Sequence, residues 1–438
     1  MILAGQAWYF RAAGCRGACT LHEEAFRSAN QEIRSTMTKQ PAGALLFVLT
    51  CAMGVGPLLN YGLSATSPLI IEDLGISEAQ FGLLATAIFA SAAVSSMWLG
   101  KLSDRISNRA QLILIFAGTA VALVVGALAQ HYAVLLIAAL LAGPAQAISN
   151  PTTNRVIIHH VAPPKRPGWI GVKQSGVQGS QLFAGLFFPA VSLWIGWQGA
   201  TALAAVVALA LLFYGLRHLP EPRPITTPVP AAAAGEPAAG QAKAFPPAVW
   251  LFAGYALLTG LGMQATNVYL PLFTVRELGF SLLLGGIAAG VSGIVGVTSR
   301  IMWGRQMAKG RRASTLLILL GAGALLGAAA LLAAGEFGTP ALLWLGVALH
   351  GATVLGTNVV VMAGVMKVVP AARVGSASGV VAMGMYAGFA SGPLLMGLLL
   401  DSTGSFRPGW VLVGVGYLLC VLLALVLRRH GNRAGVPR

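Results

Sequence analysis

The chain has 438 residues, of which 56% are apolar and only 9% are charged, with a formal net charge of +16. A soluble domain carries about 25% charged residues, so this composition excludes a soluble globular protein and predicts a chain whose exterior faces lipid. The basic excess does not indicate nucleic-acid binding, because no basic soluble domain or aromatic platform accompanies it.

Residues 1–36, within an N-terminal extension at 1–40, have neither the apolar core behind a basic start nor the small-residue cleavage pattern of a signal peptide. We expect a disordered N-terminal extension there, or a segment upstream of a functional start at Met37. The four cysteines do not form a disulfide framework, because two lie in this extension and Cys51 and Cys420 lie in apolar segments.

Twelve apolar segments follow, each of about 20 residues or more, the length that crosses about 30 Å of hydrocarbon as an α-helix. They lie at 45–70, 79–99, 110–130, 132–158, 168–193, 197–216, 247–273, 282–303, 313–334, 340–367, 375–399 and 408–427. Such runs do not suit the alternating strands of a membrane barrel. We predict an all-α membrane protein with twelve transmembrane helices, numbered here span 1 to span 12.

The chain repeats itself. "LGISEAQFGLL" at 74–84 matches "LGFSLLLGGIA" at 278–288, and further pairs keep nearly the same offset through spans 1 to 5. We predict two six-helix halves of the same orientation, at 41–216 and 247–430, followed by a tail at 431–438. The segment 217–246, rich in proline, alanine and glycine, is predicted to be the linker that joins them.

Basic residues collect in the loops that follow even-numbered spans. These loops contain Lys101, Arg105, Arg109, Lys165, Arg166, Arg217, Arg223, Lys243, Arg305, Lys309, Arg311, Arg312 and Arg373. The positive-inside rule therefore predicts that these loops, the linker and both termini are cytoplasmic. We expect a multi-pass protein of the inner or plasma membrane.

The turn after span 2, "GKLSDRISNR" at 100–109, is unusually rich in charge. Gly100 would let two helices approach closely, Asp104 would bridge toward basic groups or a helix N-terminus in the other half, and Arg105 and Arg109 would hold the turn at the anionic leaflet. The partner turn after span 8 contains Gly304 and Arg305. We predict a role in conformational gating for these six residues; the alternative is a simple topology anchor.

The turn resembles the loop motif G-x-L-x-D-R-x-x-x-R of the major facilitator superfamily. The twelve spans, the central linker and the second copy of the turn resemble that family over about residues 40–430, although Ala308 stands where the first half has Asp104. Residues 150–178 also resemble a stretch in bacterial permeases of the cyanate/nitroimidazole type and in some organic-acid carriers. The resemblance implies alternating access of a central site between the two halves.

Lys173 is the conspicuous charge inside a span, about two turns into span 5. Charge in lipid is costly, so such a residue is a candidate for function. At 100° per residue it shares a face with Gln174, Gln178 and Gln181, whereas span 11 has Val381, Ala382, Tyr386 and Phe389. We predict that Lys173 is the main positive charge of a substrate site; the alternative is that it snorkels to the surface.

Buried amides lie in spans 1, 4, 7 and 10, which line the central path in the family that the chain resembles. The candidate substrate-binding residues are Lys173, Gln174, Gln178, Gln181, Asn60, Tyr61, Asn150, Asn154, Gln264, Asn267, Asn358 and Tyr386. Each amide could also serve to hold helices together. The sequence predicts no metal site, cofactor or catalytic constellation.

None of the 12 acidic residues lies near the middle of a span. A cation site is therefore unfavourable, and Lys173 among amides favours a small organic anion. We predict a secondary transporter of such an anion that acts as a monomer in lipid. Efflux of neutral or lipophilic compounds is the alternative within transport. A membrane enzyme or a sensor on the same fold is a different class, which solute flux in liposomes would separate.

Overall fold

The computed structural model describes residues 42–162, 165–219, 245–370 and 373–433. The side chains of 42, 100, 101, 103, 104, 167 and 431–433 are outside this description. Residues 1–40 and most of the linker 217–246 lie outside the described residues, and so do the predictions made for them. Residues 48–433 belong to one compact unit.

The first half consists of helices whose bounds we give by span. Span 1 comprises Ala42–Val55, Leu58–Ala65 and Ser67–Leu74; span 2 is Glu78–Arg105; span 3 is Asn108–Ala127; span 4 is Tyr132–His160; span 5 begins with Arg166–Gln174; and the helix Gly176–His218 contains the rest of span 5 and all of span 6. The break between spans 5 and 6 lies at Ile195 and Gly196, whose backbone is not helical.

The second half follows the same plan. Span 7 is Pro247–Arg276; span 8 is Leu282–Ala308; span 9 is Ala313–Phe337; span 10 comprises Pro340–Leu349, a π-helical turn at His350–Val354, and Thr357–Val368; span 11 is Val374–Thr403; and span 12 is Arg407–Arg433. The described residues thus contain twelve apolar segments of helix, as the sequence predicts. Large exposed side chains such as Trp194 and Trp98, 88% and 75% exposed, suit a lipid-facing surface.

Three spans are broken where the sequence predicts continuous helix. Span 1 bends by 55° between Val55 and Leu58, at Gly56 and Pro57. Span 5 is interrupted at Ser175, and span 10 changes to π geometry at His350. Broken helices leave backbone carbonyl groups unpaired, which membrane proteins tolerate only where protein or a cavity satisfies them.

The repeat is visible in the turns that precede spans 2 and 8. Gly75 and Gly279 both have positive φ, at 57° and 64°, a conformation that glycine adopts without steric cost. Two residues later Ser77 and Ser281 each accept a hydrogen bond from the backbone N–H three residues on, as helix N-caps do. The two halves therefore begin their second helices with the same device.

Spans 5 and 8 make one of the close contacts between the halves. A Cβ atom on Gly286 would overlap the carbonyl oxygen of Gly185, and a Cβ on Gly185 would overlap that of Gly286. Small residues at such crossings let helix backbones approach closely in lipid. The pair fixes the distance between the halves at this point.

Spans 2 and 11 join the halves on the side away from the basic loops, which we call the opposite side. Asp401 accepts hydrogen bonds from the backbone N–H groups of Glu78 at 2.9 Å and Ala79 at 3.1 Å. Glu78 also pairs with Arg276 of span 7, and its carbonyl oxygen accepts a bond from Tyr269. We call these five residues the opposite-side latch.

Candidate functional site

A cavity of about 160 Å³ lies between the two halves. Its wall is formed by residues of spans 1, 2, 4 and 5 from the first half and spans 7, 8, 10 and 11 from the second. A single water needs only about 10–15 Å³ of such volume. The cavity therefore has room for an organic ligand.

Seven of the twelve predicted site residues reach this wall. They are Tyr61, Asn150, Gln174, Gln178, Gln264, Asn358 and Tyr386. The other five, which are absent from the wall, are Asn60, Asn154, Lys173, Gln181 and Asn267. The structure thus brings the amides of spans 4, 5, 7 and 10 together around one space, and it places part of the predicted set one layer behind it.

Lys173 is fully buried behind the wall of the cavity. Its Nζ donates to Asn150 Oδ1 at 2.9 Å and to Thr153 Oγ1 at 2.7 Å, and Gln174 Nε2 donates to the same Asn150 oxygen at 3.2 Å. The ammonium group therefore joins span 5 to span 4 and orients Asn150, which does line the cavity. It does not snorkel, and its part in substrate binding stays a prediction.

Arg300 of span 8 is the positively charged residue on the wall. Its Nε donates to the carbonyl oxygen of Leu355 at 2.9 Å, and its Nη1 donates to that of Gln174 at 3.1 Å. Both carbonyl groups lie at helix breaks, after the π turn of span 10 and before the interruption of span 5. The broken helices therefore hold the guanidinium in place.

This arrangement leaves part of the Arg300 guanidinium available to a ligand. An arginine has five N–H donors in a planar fork, and two hydrogen bonds are accounted for by Leu355 and Gln174. Among the described residues, no acidic side chain pairs with Arg300. The side chain is partly exposed to the cavity.

Arg300 is not among the site residues predicted from the sequence. The predicted span ended at 303, but the helix continues to Ala308, which puts Arg300 two turns inside it. The sequence feature that could have identified Arg300 as a residue inside the span is the mostly apolar stretch that follows it, "IMWGRQMA" at 301–308. That stretch has too little charge to mark the membrane edge at residue 300.

A second polar cluster, around His350 of span 10, lies behind the cavity wall. His350 is 3% exposed, and its Nε2 lies 3.1 Å from Asn267 Oδ1. The same oxygen accepts from Gln181 Nε2 at 3.3 Å, and Asn267 Nδ2 donates to Gln264 Oε1 at 3.2 Å. Gln181 belongs to the first half and the other three residues to the second. His350 is not among the site residues predicted from the sequence.

The predicted gating residues are only partly described. The side chains of Gly100 and Asp104 are outside the described set, and Arg105, Arg109 and Arg305 are exposed. A Cβ on Gly304 would meet Val359 Cγ1 at an ordinary 3.7 Å, so Gly304 is not required for a close approach. The gating role of the turn stays a prediction. Among the described residues, no cluster of His, Cys, Asp or Glu could hold a metal ion.

A family model described as Major Facilitator Superfamily matches residues 46–337 and 309–437. The chain belongs to the major facilitator superfamily. It is therefore a membrane protein of a transporter family with two related halves, as its predicted spans and its repeat indicate.

Curated members of the superfamily resemble the chain over most of its length. It is 26% identical over 399 residues to a hexuronate transporter of Bacillus subtilis, covering 84% of this chain and 91% of that protein. It is 30% identical over 376 residues to the "Probable nitrate/nitrite transporter NarK2" of Mycobacterium tuberculosis, covering 81% and 87%. The names of both relatives refer to transport of an anion.

Solved structures of the superfamily share the fold. A bacterial homolog of the human lysosomal transporter Spinster superposes with a TM-score of 0.71 at 16% identity, covering 90% of this chain and 98% of that chain. The nucleoside transporter NupG superposes with a TM-score of 0.68 at 15% identity, covering 87% and 98%. At such identities the likeness concerns the fold alone.

Proposed function

We propose that this protein is a secondary active transporter of a small organic anion that carries hydroxyl groups, and that it works by alternating access. The observation that carries the proposal is the position of Arg300: a guanidinium on the wall of the cavity between the halves, with no acidic partner among the described residues. The bound anion would be that partner.

The energetic argument is that a charge buried without a counter-ion is costly. Buried arginines are normally paired, and a fork of N–H donors matches a carboxylate in a bidentate manner. The two carbonyl groups from Leu355 and Gln174 orient the fork without neutralising it. A cation or a neutral lipophilic compound would leave the charge uncompensated, so the site favours an anion.

Two glutamines on the wall suggest that the ligand also donates hydrogen bonds. Gln178 is 1% exposed, and its Oε1 and that of Gln146 are buried and make no hydrogen bond with the described residues. Unpaired buried acceptors cost about 1–3 kcal/mol each. Hydroxyl groups of a ligand would satisfy them, whereas nitrate has no hydrogen to donate.

The relatives support the same class of ligand. A hexuronate combines a carboxylate with several hydroxyl groups, and nitrate is an inorganic anion that also suits an arginine. The unpaired glutamine acceptors favour the first kind of ligand over the second. The cavity is walled by a single chain, so a monomer suffices for binding.

The contacts between the halves supply the parts that alternating access needs. The opposite-side latch joins spans 2 and 11. Farther along the same two spans, Thr86 donates a hydrogen bond to the Ala390 carbonyl group. Next to this bond, the rings of Phe89 and Phe389 pack on the cavity wall with their centroids 5.2 Å apart. The basic loops are cytoplasmic in this proposal, and these contacts would then close the cavity toward the outside of the cell membrane. Opening there requires these contacts to break.

The test is solute flux in proteoliposomes with four probes: glucuronate, nitrate, cyclohexanecarboxylate and the lipophilic cation ethidium. We expect saturable uptake of glucuronate, weaker uptake of the two anions without hydroxyl groups, and loss of all anion uptake in Arg300→Gln. The matched control is Arg311→Gln, an exposed arginine just after the same helix that is not among the predicted gating residues. Transport of ethidium and of none of the anions would instead indicate an exporter of lipophilic compounds. Ligand binding without any flux would favour a sensor.

A further inference from the structure

His350 lies near the middle of span 10 along the chain. It lies ten residues after the start of span 10 at Pro340, which at 1.5 Å per residue is about 15 Å along a membrane of about 30 Å. It begins the π-helical turn His350–Val354. Single π turns inside α-helices occur frequently at functional sites.

The hydrogen bonds of the imidazole identify the atom that would take the proton. Nε2 lies 3.1 Å from the amide oxygen of Asn267, which can only accept, so Nε2 carries a hydrogen. In the neutral ring Nδ1 is then the unprotonated nitrogen. Nδ1 makes no hydrogen bond with any residue that the structure describes.

The same contacts connect His350 to the cavity and to the other half. Asn267 receives the bond from His350, donates to Gln264 on the cavity wall and accepts from Gln181 of the first half. A positive charge on the imidazole would polarise this amide chain at both ends. Protonation is therefore felt at the ligand cavity and at a contact between the halves.

Other titratable or charged groups on the helices packed against the π turn are engaged elsewhere or exposed. On span 7 Tyr255 donates to the Leu317 carbonyl group, and Tyr269 and Arg276 belong to the opposite-side latch. On span 8 Arg300 binds two carbonyl groups and Arg305 is exposed. On span 9 Glu336 pairs with Arg407. Since no acidic residue lies in the middle of a span, His350 is the proton acceptor that remains among the described groups on the helices around the π turn.

We propose that His350 is the proton-binding site of a proton–anion symport. This inference rests on the proposed anion transport. A proton from water binds the lone pair of Nδ1 and forms an imidazolium, while the Nε2 hydrogen stays on Asn267. The anion at Arg300 stabilises this second positive charge. When the anion leaves on the other side, Nδ1 returns the proton to water, so one proton moves with one anion.

The test is proton movement coupled to glucuronate uptake, followed with a pH-sensitive dye inside proteoliposomes. The parent protein is expected to acidify the lumen when glucuronate enters. An inward gradient of about one pH unit, about 1.4 kcal/mol, should drive about tenfold accumulation of the monoanion. His350→Gln keeps an N–H donor for Asn267 and cannot take a proton. It should lose acidification and accumulation but retain glucuronate counterflow.

The matched control is His430→Gln, which changes an exposed histidine near the end of span 12 and should behave as the parent does. Acidification that is undiminished in His350→Gln, or absent from the parent during glucuronate uptake, overturns the proton site and leaves anion transport intact. If the parent carries no anion, the proposed function fails. In that case the ¹⁵N NMR signal of the His350 imidazole, assigned by its loss in His350→Gln, tests proton binding by itself. A chemical shift that stays constant from about pH 5 to about pH 8 contradicts proton binding, and a shift that titrates supports it.

Discussion

Arg300 in the second half donates a hydrogen bond from Nη1 to the backbone carbonyl oxygen of Gln174 in the first half, at 3.1 Å. The same side chain lines the cavity, so one guanidinium contacts both the ligand space and the opposing half. In the proposed alternating access, a ligand that binds this group also acts on a contact that changes when the halves move. Arg300 thereby provides a physical link between binding and conformational change.

Lys173→Gln is expected to destabilise the protein. Lys173 donates charge-assisted bonds to Asn150 and Thr153 from a fully buried position. Loss of such a bond costs about 1.5–3 kcal/mol. A lower melting temperature in detergent is the readout, with Lys309→Gln, an exposed lysine, as the control. Unchanged stability would show that the ammonium group is not a structural link between spans 4 and 5.

Asp401→Asn is expected to favour opening on the opposite side. The substitution removes a negative charge from the N-terminus of span 2, where Asp401 accepts from two backbone N–H groups. Such a charge contributes about 0.3–1 kcal/mol, so the open population should rise about two- to fivefold. Spin labels at Glu72 and Ser402, both exposed, report the distance between the halves.

The control for the latch is Glu277→Gln, which removes an exposed charge on the same side. It should leave the distance distribution as it is in the parent. Identical distributions in Asp401→Asn and the parent would refute a role of the latch in holding the halves together.

Gly286→Ala is expected to push spans 5 and 8 apart. The added methyl group would overlap the Gly185 carbonyl oxygen, and overpacking of this kind costs about 1–3 kcal/mol. Thermal unfolding and glucuronate flux should both decline. In Gly414→Ala, where the nearest atom is Leu325 Cδ1 at 3.9 Å, both should be retained. Equal behaviour of the two variants would mean that the crossing is loosely packed.

The linker 217–246 is expected to be cytoplasmic. It follows an even-numbered span, and its composition provides no apolar core. Added protease should cleave it in inverted membrane vesicles and leave it intact in right-side-out vesicles. The reverse pattern would invert the orientation and with it the assignment of the latch to the outside.

The twelve helices could be predicted because each must bury about 20 apolar residues in lipid, a requirement that composition alone reveals. The breaks at Ser175 and His350 could not, since neither residue is a strong helix breaker and the interruptions depend on neighbours that satisfy the freed carbonyl groups. Arg300 is one of those neighbours. The features that organise the site therefore depend on tertiary contacts between helices, which the sequence pattern does not reveal.

The polar face of span 5 could be predicted only up to its rotation. A spacing of 100° per residue shows that Lys173, Gln174 and Gln178 lie near one another, but it does not show which of them points at the centre. Packing against span 4 directs Lys173 to Asn150 and leaves Gln174 and Gln178 on the cavity wall.

The most direct test of the account is equilibrium binding of glucuronate to the parent, Arg300→Gln, Arg300→Lys and the control Arg311→Gln at equal fold stability. Loss of a charge-assisted contact costs about 1.5–3 kcal/mol, so Arg300→Gln should bind about 10- to 150-fold more weakly. Arg300→Lys should fall between, because it keeps the charge and loses the fork, and Arg311→Gln should match the parent. Parent-like affinity in Arg300→Gln would contradict the central claim that this arginine is the anion-binding group.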